Sequence, residues 1–253
     1  MKIDISLAPD ILFNIGSFPV TNTLIGSFAV SILIMLIIFV ANKNLKKDKP
    51  GKLQNFIEFL MQEAFNFILS IMGSEKKTRK IFPLAFTMFV FILVANLISF
   101  IPGQSAVTLL REGHDVAVFR SVMADYGMVF VMTIITAITI QVVAIFVHGP
   151  FGYIGKFFNF KSPLAFFLGI MDIIGEFAKV ISLSFRLFGN IFAGEVLGAV
   201  MLALAPFFIP LPFLFLGLLG ALVQAFVFAV LTVVFINLAA EIEEDELVEA
   251  ASM

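Results

Sequence analysis

Five charged side chains stand in a run of residues that otherwise has the composition of a lipid-facing helix: Asp172, Glu176, Lys179, Arg186 and Glu195. An arginine at the centre of a membrane helix costs about 2.5–3.5 kcal/mol on insertion scales, so it is kept for a task or neutralised by a partner. Nucleophilic chemistry does not fit. Ser182 and Ser184 have no histidine near them in the sequence, and the paired aspartates of membrane aspartyl proteases are missing. The chain has no cysteine, which excludes thiolate metal sites, and its two histidines, His114 and His148, fall at loop positions. No catalytic residue, metal site or cofactor is expected. What these groups offer is a route for charge through the membrane.

Helical geometry sorts them. At about 100° per residue, with Arg186 set to zero, Lys179 falls at about 20°, Asp172 and Asn190 at about 40° and Glu176 at about 80°. These form one polar stripe. Glu195 lies nine residues on, about 180° away and roughly 13.5 Å along the axis, and looks the other way. Asp172 and Glu176 lie roughly 21 Å and 15 Å from Arg186 along a straight helix, too far to pair with it. Glu176 and Lys179 are spaced to pair at i, i+3. Gly189, Ala193, Gly194 and Gly198 flank the stripe, and small residues let another helix approach closely.

The elements that carry these groups follow from composition. The 253 residues are 60% hydrophobic and only 13% charged, with a mean hydropathy of +1.08. A soluble domain would carry roughly twice that charge. The fold class is an all-α polytopic membrane protein read as a single domain: about five membrane helices plus one interfacial amphipathic helix, the last two membrane helices long and strongly tilted. The net charge of −2 does not suggest nucleic-acid binding. Residues 1–20 form a short outer amino-terminal segment, and Thr21 to Ala41 the first span. The 53–72 stretch repeats Asn55, Glu58, Gln62, Asn66 and Ser70 at helical spacing, as an interfacial helix does. Ile81 to Ile101 is the second span, entered through Pro83, and 104–125 a polar loop. Gly127 to Val147 is the third span, ended by His148-Gly149-Pro150. Pro163 to Ala205 is roughly twice the length a perpendicular span needs. Phe213 to Ala240 is the last span, carrying Gln224, and 241–253 is an acidic inner tail expected to fray. Lys and Arg number eleven in the 43–80 and 148–163 connectors but three in the amino-terminal segment and the 102–125 loop. The first set is therefore cytoplasmic. The amino terminus is then outside and the carboxyl terminus inside.

Arg-Leu-Phe-Gly-Asn at 186–190 with Ala-Gly-Glu at 193–195 resembles the signature of the subunit a family of rotary F-type ATP synthases. The resemblance extends to Gln224-Ala-Phe, to Asn96-Leu-Ile with Pro102-Gly103, and to Ala8-Pro9-Asp10 with Thr21-Asn22-Thr23-Leu24. It implies a stator subunit in the cell (inner) membrane, without ATP chemistry of its own. It would offer two offset half-channels that carry protons or sodium ions to and from the carboxylates of a rotating c-ring. Arg186 would be the essential arginine, Glu195 would belong to the outer half-channel, and Asn190 and Gln224 would be polar neighbours of the arginine. Asp172, Glu176 and Lys179 would serve the inner path, and the 163–240 hairpin would face the ring. The implied partners are the c-ring, the peripheral-stalk b subunits, the rest of the complex and the lipid bilayer. One departure stands out: some members carry a histidine where this chain has Gly217. The alternative reading is a secondary ion transporter with an intramembrane Arg/Glu site. Such a transporter would usually show a repeated half, and none is visible.

Overall fold

The computed structural model describes residues 9–43, 51–100, 108–111, 114–117, 120–157, 163–204 and 208–251. Ala8, Lys46, Lys47, Lys49, Pro102, Gly103 and Lys161, to which the sequence reading gave weight, lie outside the described residues. The chain opens with an antiparallel hairpin, β1 (Ile11–Ile15) and β2 (Phe18–Thr21), turned at Gly16 with φ +63°. The helix α1 (Asn22–Lys43) follows directly. The Thr21 hydroxyl accepts the Leu24 amide at 3.3 Å, the reach of an N-capping side chain. Asn22 ties the helix to the hairpin through its amide, which donates to the Asp10 carbonyl at 3.0 Å.

The amphipathic stretch is the helix α2 (Lys52–Met72), closed by Gly73 at φ +64°, where a side chain would be strained. After one residue, Ser74, comes α3 (Glu75–Ser99). This corrects the expected second span, which was placed to begin at Ile81. The basic cluster Lys76, Lys77, Arg79 and Lys80 is not a connector but the first two turns of α3, with Arg79 paired to Glu75 at 2.7 Å. Pro83 lies inside the helix, where it withholds one amide on an exposed face.

The polar loop expected at 104–125 is also corrected. It holds a second hairpin, β3 (Thr108–Arg111) and β4 (His114–Ala117), and then a 3₁₀ turn at Val122–Ala124. Ser121, Val122, Met123, Ala124 and Asp125 are all buried. The segment is a wedge set among α1, α3, α4 (Tyr126–Phe157) and α5 (Pro163–Leu204). In α4 the backbone breaks at Gly149, with φ 73° and ψ 158°, conformations open essentially to glycine alone. The 42-residue α5 is about 63 Å long at helical rise, against a bilayer core of about 30 Å. Its partner α6 starts at Pro210 and runs to Ala251, so the acidic tail expected to fray continues the helix.

The protein is a multi-pass membrane protein. Its helices α1, α3, α4 up to Val147, α5, and α6 up to Ala239 are each long and apolar enough to cross a bilayer. At the centre lies α6, touching α2, α3, α4 and α5. Its buried positions Ala221, Ala225, Phe228, Thr232 and Ile236 recur at helical spacing, and the first three share one core with Ile92 and Ala95 of α3 and Leu183, Leu187 and Ile191 of α5. Near its far end the Asn237 amide donates to the Ile71 carbonyl of α2 at 3.3 Å. Thus α2 lies at one end of the bundle, and the wedge lies at the other.

Candidate functional site

The site is built on the middle of α5. Leu187 is fully buried, and Phe185 and Phe188 both rest on the Tyr126 ring of α4, at 5.3 and 5.5 Å between centroids. These contacts fix the turn that carries Arg186. They hold one side of α5 against α4 and turn the guanidinium away, onto the exposed surface of the chain. Among the described residues Arg186 makes no hydrogen bond and no ion pair. Around it the same surface carries Ala178, Ser182, Gly175 and Gly189, and a Cβ added at either glycine would meet nothing. This face is open to the close approach of another helix.

Two of the glycines first grouped with that stripe point elsewhere. Gly194 lies against the Gly217 Cα, and Gly198 against Leu214, so both belong to the contact between α5 and α6. The helices cross here with Asn190 set on Gly220, where an added Cβ would come within 2.9 Å of Oδ1. A side chain at 217 would meet the Phe100 ring at 3.0 Å. Phe100 therefore fills the space that a histidine at that position would need. Gln224 lies one turn beyond Gly220 on α6, 5% exposed, and its Nε2 has no partner among the described residues. Asn96 of α3 donates from Nδ2 to the Ala221 carbonyl at 3.0 Å and leaves its Oδ1 unpaired. Asn190 and Gln224 thus stand in the seam of the two helices near the level of Arg186, without bonding to it.

Toward the α2 end, the Lys179 ammonium pairs with Glu176 at 2.7 Å and lies 5.2 Å above the Phe235 ring. The other carboxylate oxygen of Glu176 accepts from Gln141 Nε2 of α4 at 3.1 Å. Thr133, Thr136, Glu176, Lys179 and Phe235 border a cavity of about 20 Å³, enough for about one water. Tyr153, beyond the break at Gly149, feels the Glu176 charge. Burial first, and that carboxylate second, push its phenol above the ordinary value. Asp172 is exposed on the surface and joins no part of this cluster. Gln141 and Tyr153 are the residues that the sequence did not assign to a site. Gln141 was the visible one, an amide in the middle of an apolar span.

At the other end Glu195 reaches the wedge, where the Arg120 charge and the Ser121 hydroxyl are its neighbours. Polar composition marks the wedge as loop, so the sequence alone points to neither Arg120 nor Ser121. The arrangement therefore holds one exposed cation at mid-helix, a carboxylate cluster toward one end, and a second carboxylate toward the other end on the opposite face. Each carboxylate can bind a cation, and the guanidinium can bind an anion.

Fold and site together define a class: a polytopic helical membrane protein with an exposed arginine at the middle of a long helix and carboxylates toward either end. The family model "ATP synthase A chain" matches residues 24–237. Proteins named ATP synthase subunit a are similar along most of their length. That of Moorella thermoacetica is 32% identical over 225 residues, covering 89% of this chain and 93% of its own. That of Geotalea uraniireducens is 36% identical over 208 residues, 81% of each chain. That of Trichlorobacter lovleyi is 32% identical over 219 residues, 85% of this chain and 86% of its own. The chain belongs to the ATP synthase A chain family.

Proposed function

We propose that this chain is the stator that carries ions to and from the rotor carboxylates of an F-type ATP synthase, Arg186 being the fixed cation that the rotor passes. The observation that carries this reading is the placement of Arg186: exposed, unpaired among the described residues and flanked by small side chains. A carboxylate carried on a ring of helices must be neutral to travel through lipid, because the ionised form is too costly to desolvate. At the stator it releases its ion and takes another, and between those events it is an anion inside the membrane. A guanidinium opposite it stabilises that anion, and arginine stays protonated at any working pH. The same charge repels a free cation, so ions pass by rotation and not by leak.

The Lys and Arg excess of residues 43–80 and 148–163 supports a cytoplasmic α2 end and an outer wedge end. Glu176, Lys179, Gln141 and the small cavity then form the inner approach, with Asp172 nearer the inner surface. Glu195 belongs to the outer approach, and Asn190 and Gln224 offer polar atoms in the seam between. The 163–240 hairpin faces the c-ring, α2 lies along the inner membrane surface, residues 1–20 are outside and the 241–253 tail is inside. Peripheral-stalk b subunits hold the stator against the ring in the cell membrane. The ion is a proton or a sodium ion.

Cross-linking tests the facing surface. The chain lacks cysteine, so a single Ser182→Cys, one turn from Arg186, can be oxidised against a cysteine placed one turn from the ring carboxylate. The disulfide is expected to form in the purified complex and to stop rotation. Ile191→Cys, 2% exposed, is expected to stay unlinked. Linkage at 191 but not at 182 would overturn the reading.

A further inference from the structure

The wedge spaces α1 from α3. Its Arg120 carbonyl oxygen lies only 3.1 Å from where a Cβ on Gly26 would stand, an approach that α1 permits by having glycine there. On the other side the Ser121 and Ser99 hydroxyl oxygens are 2.7 Å apart, which fastens the wedge to α3. Beside the wedge, Gly26, Ala29 and Ala95 are too small to close the gap between the two helices, and a cavity of about 290 Å³ results. On α1 its border is Gly26, Ala29, Val30 and Leu33, one face at helical spacing, and on α3 it is Ala95, Ile98 and Ser99. Polar side chains border it only at the wedge end. Ala29 and Leu33 are exposed, so the cavity opens on the apolar outer side of α1, next to the exposed Phe28 and Ile32.

We propose that this cavity is a lipid site, holding one acyl chain of a phospholipid whose headgroup lies at the wedge end. Size decides between the apolar occupants that a membrane offers. From Gly26 to Leu33 the cavity follows α1 for about 10.5 Å. A partner helix about 10 Å across would need roughly 800 Å³ over that length. A hydrocarbon chain one methylene thick needs a small part of that. The depth also falls within the roughly 15 Å that one leaflet contributes to the hydrocarbon core. Water finds few partners here. The Ser99 hydroxyl donates to the Ala95 carbonyl at 2.9 Å, which leaves the Ser121 proton for Ser99, so neither hydroxyl donates into the cavity. A buried water needs two to four polar partners. Apolar walls instead gain from an apolar occupant that touches them on every side. A bound chain would join α1 to α3 below the wedge and steady all three. The site does not depend on the stator reading.

The test uses the assembled complex in vesicles of phosphatidylcholine and phosphatidylglycerol, with a trace of phosphatidylcholine that carries a photoactivatable diazirine midway along one tail. After illumination, adducts on this chain are mapped by mass spectrometry. Residues 35–39 of α1, exposed and outside the cavity, report contact with bulk lipid. Ala95 is 1% exposed, so bulk lipid does not reach it, whereas a chain in the cavity does. Adducts on Ala95 and Ile98 are expected to be at least as dense as those on 35–39. Ala29→Phe narrows the mouth and is expected to lower the adducts on Ala95 and Ile98 severalfold while those on 35–39 stay unchanged. Should Ala29→Phe not assemble, Leu33→Phe serves the same purpose. Adducts confined to exposed residues, or adducts in the cavity that neither variant lowers, would overturn the site. A disulfide from Ala29→Cys to a helix of another subunit would overturn it too, by making the cavity a contact between proteins.

Discussion

Glu176 has neighbours that no single-helix projection shows: Gln141 from α4 and Tyr153 beyond the break, whose phenol feels the Glu176 charge, besides Lys179 on its own helix. The i, i+3 pair with Lys179 was legible because both residues lie on one helix, where spacing alone decides contact. The opposition of Arg186 and Glu195 was legible for the same reason. Gln141 was visible only as an amide among apolar residues, because its partner depends on how α4 packs on α5. Likewise the helical wheel put Asp172 on the stripe with Glu176, whereas packing leaves it exposed and outside the cluster. If the cluster serves the inner approach, losing the Gln141 bond leaves one carboxylate oxygen to water or to nothing. Gln141→Leu is therefore expected to lower ATP-driven pumping severalfold in a complex that assembles normally. Glu176→Gln is expected to lower it further. Equal and full pumping by both would reduce the cluster to a bond between helices.

The helices themselves were readable from apolar length and periodicity, and α1, α2, α4, α5 and α6 start within a few residues of where the sequence placed them. The errors came where polar composition was equated with loop. The basic turns of α3 are helical because Glu75 and Arg79 pair along the helix and Pro83 costs only one amide on an exposed face. Residues 121–125 are buried because α1, α3, α4 and α5 leave a gap there, which composition cannot announce. The break in α4 was signalled by His148-Gly149-Pro150. Its consequence, the placing of Tyr153 near Glu176, was not. Gly149 holds a backbone conformation that costs any other residue about 1–3 kcal/mol. Gly149→Ala is expected to lower the half-inactivation temperature of the detergent-purified complex by several degrees and to weaken coupled pumping. Gly175→Ala, where an added Cβ meets nothing, is expected to change the temperature little. Equal temperatures for Gly149→Ala and the parent would show that the segment after the break accommodates the change.

Over the whole molecule, the two ends of the bundle differ as the account requires: α2 and the Glu176 cluster at one, the wedge and Glu195 at the other. Sequence reaches the orientation only through charge bias, and the fold adds five candidate spans among the described residues, an odd number that suits termini on opposite sides. Asn14→Cys on the amino-terminal hairpin is expected to react with an impermeant thiol reagent from outside, and Lys76→Cys at the start of α3 only from inside. The reverse pattern would invert the approaches and the path built on them. If Arg186 stands between the two proposed approaches, ions cross only by way of the rotor. Each ion crossing 100 mV releases about 2.3 kcal/mol, which any direct passage would dissipate. Arg186→Lys is expected to fail as well, since an ammonium is more strongly hydrated and loses its proton more readily when buried. The most direct measurement uses liposomes containing the assembled Arg186→Ala complex, with gradient-driven ATP synthesis and passive ion leak recorded separately. That complex is expected to make no ATP and to leak ions faster than the parent complex. Near-normal coupled synthesis by that variant would contradict it.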